Sequence, residues 1–206
     1  MTTLILVRHA TTAATGKRLG GWTPGVHLDA RGHDQAACVA AQLAPLPISA
    51  VYTSPLERTV ETARRIAREQ RLRVRVRKGL GEVDYGDWTD RPLGQLRRRT
   101  MWRDIQSTPS RVTFPNGESI RAAQQRAVDT IEQLVADHGD ATIVAVSHAD
   151  VIKAVVAFYL GLGLDMFQRL HIAPASVTTV HLPTSGHPML VACNVTSHLP
   201  QRTSDA

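Results

Sequence analysis

Cys38 and Cys193 are the only thiols in the chain, far apart in sequence and in no CxxC or other ligand spacing. That leaves no basis for a disulfide framework or a cysteine-built metal site, and both are expected to be reduced and structural. The nine histidines form no HxH or HExxH pattern, so neither a metal nor a cofactor is expected. Aromatic residues make up 4% of the sequence, with none of the interleaving that single-strand nucleic-acid binders use for stacking. No apolar stretch approaches the roughly 20 residues a membrane-spanning helix needs. The first apolar run, residues 4–7, is too short for a signal-peptide core and precedes positive charge instead of following it, so no targeting segment is read and the cytoplasm is expected. With no repeat, low-complexity segment or Pro/Gly/Ser linker, residues 1–197 are expected to be one domain and residues 198–206 a loose tail.

What the chain does have is positive charge: +6 formally, with a pI near 10.0. Such a surface suits polyanions and phosphorylated small molecules. Arg71, Arg73, Arg75 and Arg77 alternate with Leu72, Val74 and Val76, the period of a strand with one wet face. Arg97, Arg98, Arg99 and Arg103 form the second basic region. Both are read first as solvated faces, and no nucleic-acid or membrane partner is expected.

The stretch Leu4-Ile5-Leu6-Val7 is a continuous apolar run of the kind a parallel strand shows when both its faces are covered, and it ends in Arg8-His9-Ala10. A long loop with five glycines and prolines follows to Asp29, then a helix from Arg31 to Leu43 stopped by Pro45 and Pro47. Ile48 to Thr53 reads as a second strand, and Ser54-Pro55 as the cap and first residue of a helix reaching about Gln70. A third strand is expected from Arg71 to Lys78, and a glycine-punctuated loop from Gly79 to Asp90. Leu93 to Ile105 reads as a basic helix. Asn116-Gly117-Glu118-Ser119 opens a long helix to about His138. Ala141 to Val146 is another apolar strand, ending in Ser147-His148-Ala149-Asp150 before a helix from Val151 to Leu160. Val177 to Leu182 and Met189 to Val195 close the chain as a hairpin.

This alternation predicts a three-layer α/β/α sandwich with a mixed, mostly parallel central sheet. In such sheets ligands bind beyond the carboxyl ends of the strands. Taken alone, Arg8-His9 reads first as a solvated strand end. Arg58 and His148 stand at equivalent strand-to-helix junctions, however, so the topology brings the four residues to one edge. Two arginines and two histidines make a site for a tetrahedral dianion, since guanidinium forks match phosphoryl oxygens. A histidine among them can attack phosphorus through one ring nitrogen while the other keeps its proton on a backbone carbonyl, and His9 is read as that nucleophile. A serine nucleophile at Ser147 is disfavoured, because no GxSxG elbow surrounds it.

The blocks Leu6-Val7-Arg8-His9-Ala10, Ser54-Pro55-Leu56-Glu57-Arg58-Thr59, Glu82-Val83-Asp84-Tyr85-Gly86-Asp87-Trp88 and Val146-Ser147-His148-Ala149-Asp150 together resemble the histidine phosphatase superfamily, in its phosphoglycerate mutase-like branch. Gly21-Trp22, Gly32 with Gln35-Ala36, and Gly117-Glu118-Ser119 extend the resemblance over most of the chain. It implies a transient phosphohistidine at His9, with Arg8, Arg58 and His148 holding the phosphoryl oxygens and Gly21 among the substrate-binding residues. It also implies that Glu82 is the general acid and then the base for water. An alkoxide leaves poorly unprotonated, and a desolvated carboxyl has a raised pKa, so the chemistry agrees. Asp84 and Asp87 are weaker alternatives as acid, and Glu118 is read first as a helix-start residue, second as a backup acid.

Two departures stand out. Ala10-Thr11-Thr12 replaces the glycine and acidic or amide residue common after the catalytic histidine, and Thr15 stands where an asparagine often contacts the phosphoryl group, so its hydroxyl or amide is expected to replace part of that contact as a substrate-binding residue. The expected activity is metal-independent hydrolysis of a small phosphorylated metabolite, with residues 89–118 as a cap. The alternatives are a phosphoglycerate-type mutase and, in a different class, a non-catalytic phosphate- or nucleic-acid-binding module. Self-association as a homodimer through a sheet edge is a further expectation.

Overall fold

The computed structural model describes residues 1–199; residues 200–206 of the expected tail lie outside the described residues. Six strands form one sheet: β1 (Thr2–Arg8), β2 (Ile48–Thr53), β3 (Val74–Val76), β4 (Thr142–Ser147), β5 (Val177–Leu182) and β6 (Met189–Val195), in the order β3-β2-β4-β1-β5-β6. The first four in that order run parallel, and β5 and β6 add an antiparallel edge. The helices are α1 (Ala30–Leu43), α2 (Glu57–Glu69), α3 (Leu93–Leu96), α4 (Thr100–Ser107), α5 (Ile120–His138) and α6 (Ala149–Tyr159). None among the described residues is long and apolar enough to cross a membrane.

Two apolar layers explain the unbroken run of β1. Ile5 and Val7 pack with α1 and α2, through Val39, Leu43, Ala63 and Ile66. Leu4 and Leu6 pack on the opposite face with α5 and α6, through Ala127, Ile131, Val151 and Val155. Consecutive strand residues point to opposite faces, so a strand covered on both sides has no polar position to spare. The sandwich is therefore three-layered and mostly parallel, as its sequence pattern predicts.

Three elements differ from expectation. The strand expected over 71–78 shrinks to Val74–Val76, because Arg71 adopts a left-handed conformation (φ 56°) and the amide of Leu72 still bonds the carbonyl of Ala67. Those residues finish α2 instead of starting a strand. The helix expected from 93 to 105 is two helices. Leu96 and Ile105 are both buried, yet nine residues along a straight helix would put them about 180° apart, so the chain breaks between them. Arg97, Arg98, Arg99 and Arg103 face solvent, as expected. Finally, α2 starts at Glu57, not at Pro55, with Leu56 at its N-cap, which frees Ser54 for another partner. At the far end, Leu199 packs against Ala10, Leu28, Ala36 and Ala175, and His198 bonds the carbonyl of Ala175, so the first two residues of the expected loose tail are packed.

Candidate active site

Each parallel strand delivers one group to its carboxyl edge. The register of β1 with β4 ends at Arg8 opposite Ser147, and the amide of His9 donates to the carbonyl of Ser147 at 3.0 Å. His9 and His148 consequently leave neighbouring strands side by side, with ring centroids 5.2 Å apart. Arg58, in the first turn of α2, reaches His148 Nδ1 at 3.3 Å through Nη2. Glu82 comes from the loop after β3, and its Oε2 lies 3.7 Å from the same His148 nitrogen.

Hydrogen bonds fix both imidazole tautomers. His9 Nδ1 lies 2.8 Å from the carbonyl oxygen of Ala10. A carbonyl only accepts, so Nδ1 carries the hydrogen and Nε2 presents a lone pair. Arginine only donates, so His148 Nδ1 accepts from Arg58, and its Nε2–H donates to Ser54 Oγ at 2.8 Å. Burial foremost, then Arg58 and other charged neighbours, push both histidines well below the usual imidazole pKa. Both are neutral at pH 7. The contact of His148 with Glu82 is therefore no ion pair, and 3.7 Å is too long for a hydrogen bond.

The two arginines are held from behind and free in front. Arg8 Nη1 donates to the carbonyl of Ile172 at 2.7 Å, and Arg58 Nη2 to that of Gly21 at 2.8 Å. Arg8 Nε and Arg58 Nη1 are buried without a hydrogen-bond partner among the described residues.

Glu82 is the carboxyl of the set whose basicity is raised. Its pKa is raised to about 7, by burial first and by Asp150 second, against the opposing pull of Arg58, the Val83 amide and Arg8. The amide of Val83 donates to its Oε1 at 2.9 Å. Asp150 in turn accepts from Tyr85 Oη at 2.9 Å and from Lys153 Nζ at 3.1 Å.

Arg8, His9, Arg58, Glu82, Tyr85, Asp150 and Thr15 line one cavity of about 240 Å³, together with the apolar Ala14, Leu19, Val26 and Leu93. His148 lies just beneath it, fully buried. Thr15 Oγ1 accepts from the amide of Thr12 at 2.9 Å, so the loop that replaces the common asparagine is tied to itself. Gly21 serves through its carbonyl, behind Arg58, while Gly20 lines the cavity. A larger neighbouring cavity of about 770 Å³ shares Thr12 and Thr15 but is lined by neither His9, His148, Arg8, Arg58 nor Glu82.

The alternative acids do not line the cavity. Asp84 caps the amide of Gly86 and Asp87 accepts from Asn116, both exposed. Glu118 is paired with Arg126 at 2.5 Å and does not line the cavity. Ser147 Oγ donates to the carbonyl of Leu80 at 2.7 Å and does not line the cavity. Sequence reasoning missed Tyr85 and Asp150 as site groups, and Ser54 as the partner of His148. Ser54 carried a misleading signal, since Ser-Pro reads as a helix cap.

A family model for histidine phosphatases, branch 1 of that superfamily, matches residues 4–196. The chain belongs to the histidine phosphatase superfamily. Among its relatives, phosphoserine phosphatase 1 of Hydrogenobacter thermophilus is 30% identical over 203 residues, which cover 97% of this chain and 95% of that one. A phosphoserine phosphatase of Entamoeba histolytica, solved in complex with 3-phosphoglyceric acid, superposes with a TM-score of 0.85 at 29% identity, covering 97% of this chain and all of the other. A mycobacterial glucosyl-3-phosphoglycerate phosphatase superposes with a TM-score of 0.85 at 25% identity, over 94% and 99% of the two chains. Phosphoglycerate mutases are more distant relatives. As a histidine phosphatase, the chain is a hydrolase.

Proposed function

We propose that this histidine phosphatase hydrolyses a small phosphomonoester through a phosphohistidine on His9 Nε2, with Arg8 and Arg58 instead of a metal neutralising the phosphoryl oxygens. The observation that carries the reading is the neutral, buried His9, its Nε2 unprotonated, beside two guanidinium nitrogens with no protein partner. Such donors match an oxyanion held in a water-poor site.

In the first half-reaction His9 Nε2 attacks phosphorus, the bond from phosphorus to the ester oxygen breaks, and Glu82 gives its proton to the departing alkoxide. His148, lying against His9 and Arg58, can bond the oxygens of the transferred group only after Nδ1 takes up a proton, supplied by a protonated phosphoryl oxygen, once the dianion offsets the arginine charge. In the second, Glu82 as carboxylate takes a proton from water, water oxygen bonds phosphorus, and the phosphorus–nitrogen bond breaks. Phosphate leaves and Glu82 is protonated again. A carboxyl with a pKa near 7 serves both roles at neutral pH.

The cavity volume of about 240 Å³ and the substrates named for the relatives support a phosphorylated three-carbon acid or a molecule of similar size. Residues 89–118 act as the cap, with Leu93 reaching the cavity. Free Cys38 and Cys193 support a cytoplasmic site of action. The position of β6 at the sheet edge among the described residues supports self-association, which light scattering tests. Phosphate release from a panel of phosphoserine, phosphoglycerates, sugar phosphates and nucleotides tests the function, alongside interconversion of 2- and 3-phosphoglycerate. Interconversion faster than release would overturn it in favour of a mutase.

A further inference from the structure

Glu82 is carried by a segment with no regular structure, between single turns at Lys78–Leu80 and Gly86–Trp88. A general acid must nevertheless be held to within fractions of an ångström of the leaving oxygen. We propose that Arg126, backed by Glu118, is the positioning residue that aims Glu82, by clamping the backbone that carries it. The proposal rests on the reading of Glu82 as general acid.

The clamp engages three carbonyls within four residues. From α5, Arg126 Nη1 donates to the carbonyls of Gly79 and Gly81, both at 2.8 Å, and Nη2 to that of Glu82 itself at 2.8 Å. The remaining donors go to Glu118: Nη2 to Oε1 at 2.5 Å and Nε to Oε2 at 3.0 Å. Those five contacts match the five N–H donors of a guanidinium group. Glu118 Oε1 also accepts from the amide of Asp84 at 2.8 Å, so the pair grips the loop on both sides of Glu82. Trp22 Nε1 adds a bond to the Glu82 carbonyl at 2.6 Å.

The glycines permit this approach. A Cβ at Gly79 would lie 2.8 Å from the carbonyl oxygen of Arg126, and one at Gly81 would strike the Trp22 ring. Arg126, Glu118 and Trp22 line a separate cavity of about 690 Å³ and no part of the catalytic one. Arg126 therefore acts through Glu82 and not on substrate. Lysine cannot replace it, because one ammonium lacks the planar fork that spans several carbonyls.

The test uses leaving groups of different basicity. An alkoxide needs a proton from Glu82 to depart, a nitrophenolate does not, and kcat/KM covers steps only as far as that departure. The ratio of kcat/KM for phosphoserine to that for 4-nitrophenyl phosphate is measured in wild type, Glu82→Gln, Arg126→Lys and Glu118→Gln. We expect the ratio to fall about a hundredfold in Glu82→Gln, about tenfold in Arg126→Lys and by a smaller factor in Glu118→Gln. A purely structural role would lower both substrates together and leave the ratio unchanged. An unchanged ratio in Arg126→Lys and Glu118→Gln, with a collapsed ratio in Glu82→Gln, overturns the clamp and spares the acid. An unchanged ratio in Glu82→Gln overturns both. Should circular dichroism show Arg126→Lys unfolded, Glu118→Gln, which keeps side-chain shape, decides alone.

Discussion

His9 and His148 meet with ring centroids 5.2 Å apart and planes tilted by 59°, each tautomer fixed by a hydrogen bond on the side away from the other's role. Placing two imidazoles this close between two guanidinium groups works only if both rings are uncharged. Their depressed basicity leaves a lone pair on each: His9 at Nε2, on the cavity side, and His148 at Nδ1, which accepts from Arg58.

Under the proposed mechanism, replacing His9 removes the covalent route. His9→Ala should lower kcat by about 10³-fold or more on any phosphomonoester, including 4-nitrophenyl phosphate. Rapid quenching with phosphorus-labelled substrate should label the wild-type chain and leave this variant unlabelled. A labelled variant would move the intermediate elsewhere.

Activity should fall on the alkaline side of neutrality. Glu82 donates only when protonated, so kcat/KM for an alkyl phosphate should drop as pH rises through about 7. The acidic limb belongs to His9, whose lowered pKa keeps it nucleophilic at pH values well under 6.5. Stability follows the same carboxyl. Its folded pKa exceeds its unfolded one, so the folded state holds the proton more tightly, and stability is lost as pH rises from about 4.5 to about 7. Glu82→Gln should escape that loss, worth on the order of 3 kcal/mol. Thermal denaturation at pH 5 and pH 8 measures the difference.

Asp150 should set where that limb lies. Its charge is the second cause of the raised Glu82 pKa, after burial. Asp150→Asn keeps an acceptor for Tyr85 while removing the charge, so the alkaline limb should move to lower pH. A pH profile unmoved by this change would assign the shift to burial alone.

The unpartnered nitrogens Arg8 Nε and Arg58 Nη1 should be satisfied by oxyanions. Inorganic phosphate should raise the melting temperature of the wild type. In Arg58→Lys, which keeps charge but not the fork, most of that rise should vanish and kcat should fall about 10²-fold.

Gly86 should tolerate no side chain. Its φ is 50°, and a Cβ there would run into the carbonyl of Pro115 and the backbone of Asn116 and Gly117. Gly86→Ala should cost about 3 kcal/mol or more in urea unfolding, from strain and collision together.

Much of this was legible in the sequence where chemistry and burial coincide. Leu4 to Val7 and Ile143 to Val146 are apolar without interruption because helices cover both faces, and the polar residues ending those runs are the site. The alternation at Arg71 to Arg77 misled because an exposed helix exit and an edge strand share the same wet composition. Asp150 and Tyr85 were in view as parts of longer blocks, but their tie spans 65 residues, and nothing local announces it. Arg126 stands on an amphipathic helix among other polar residues, and only the fold shows that it faces three carbonyls.

The central position of β1 also bears on how the enzyme would fail. Its amides and carbonyls are paired on one side with β4 and on the other with β5, and Leu4 to Val7 are at most 2% exposed. Hydrogen exchange there requires opening the whole sheet, so protection at Arg8 and His9 should match global unfolding. Glu82 has no ladder to share. On warming, phosphate should go on binding after alkyl phosphate turnover has begun to fade, because His9 directly follows a strand paired on both sides and Glu82 is held only by a side-chain grip.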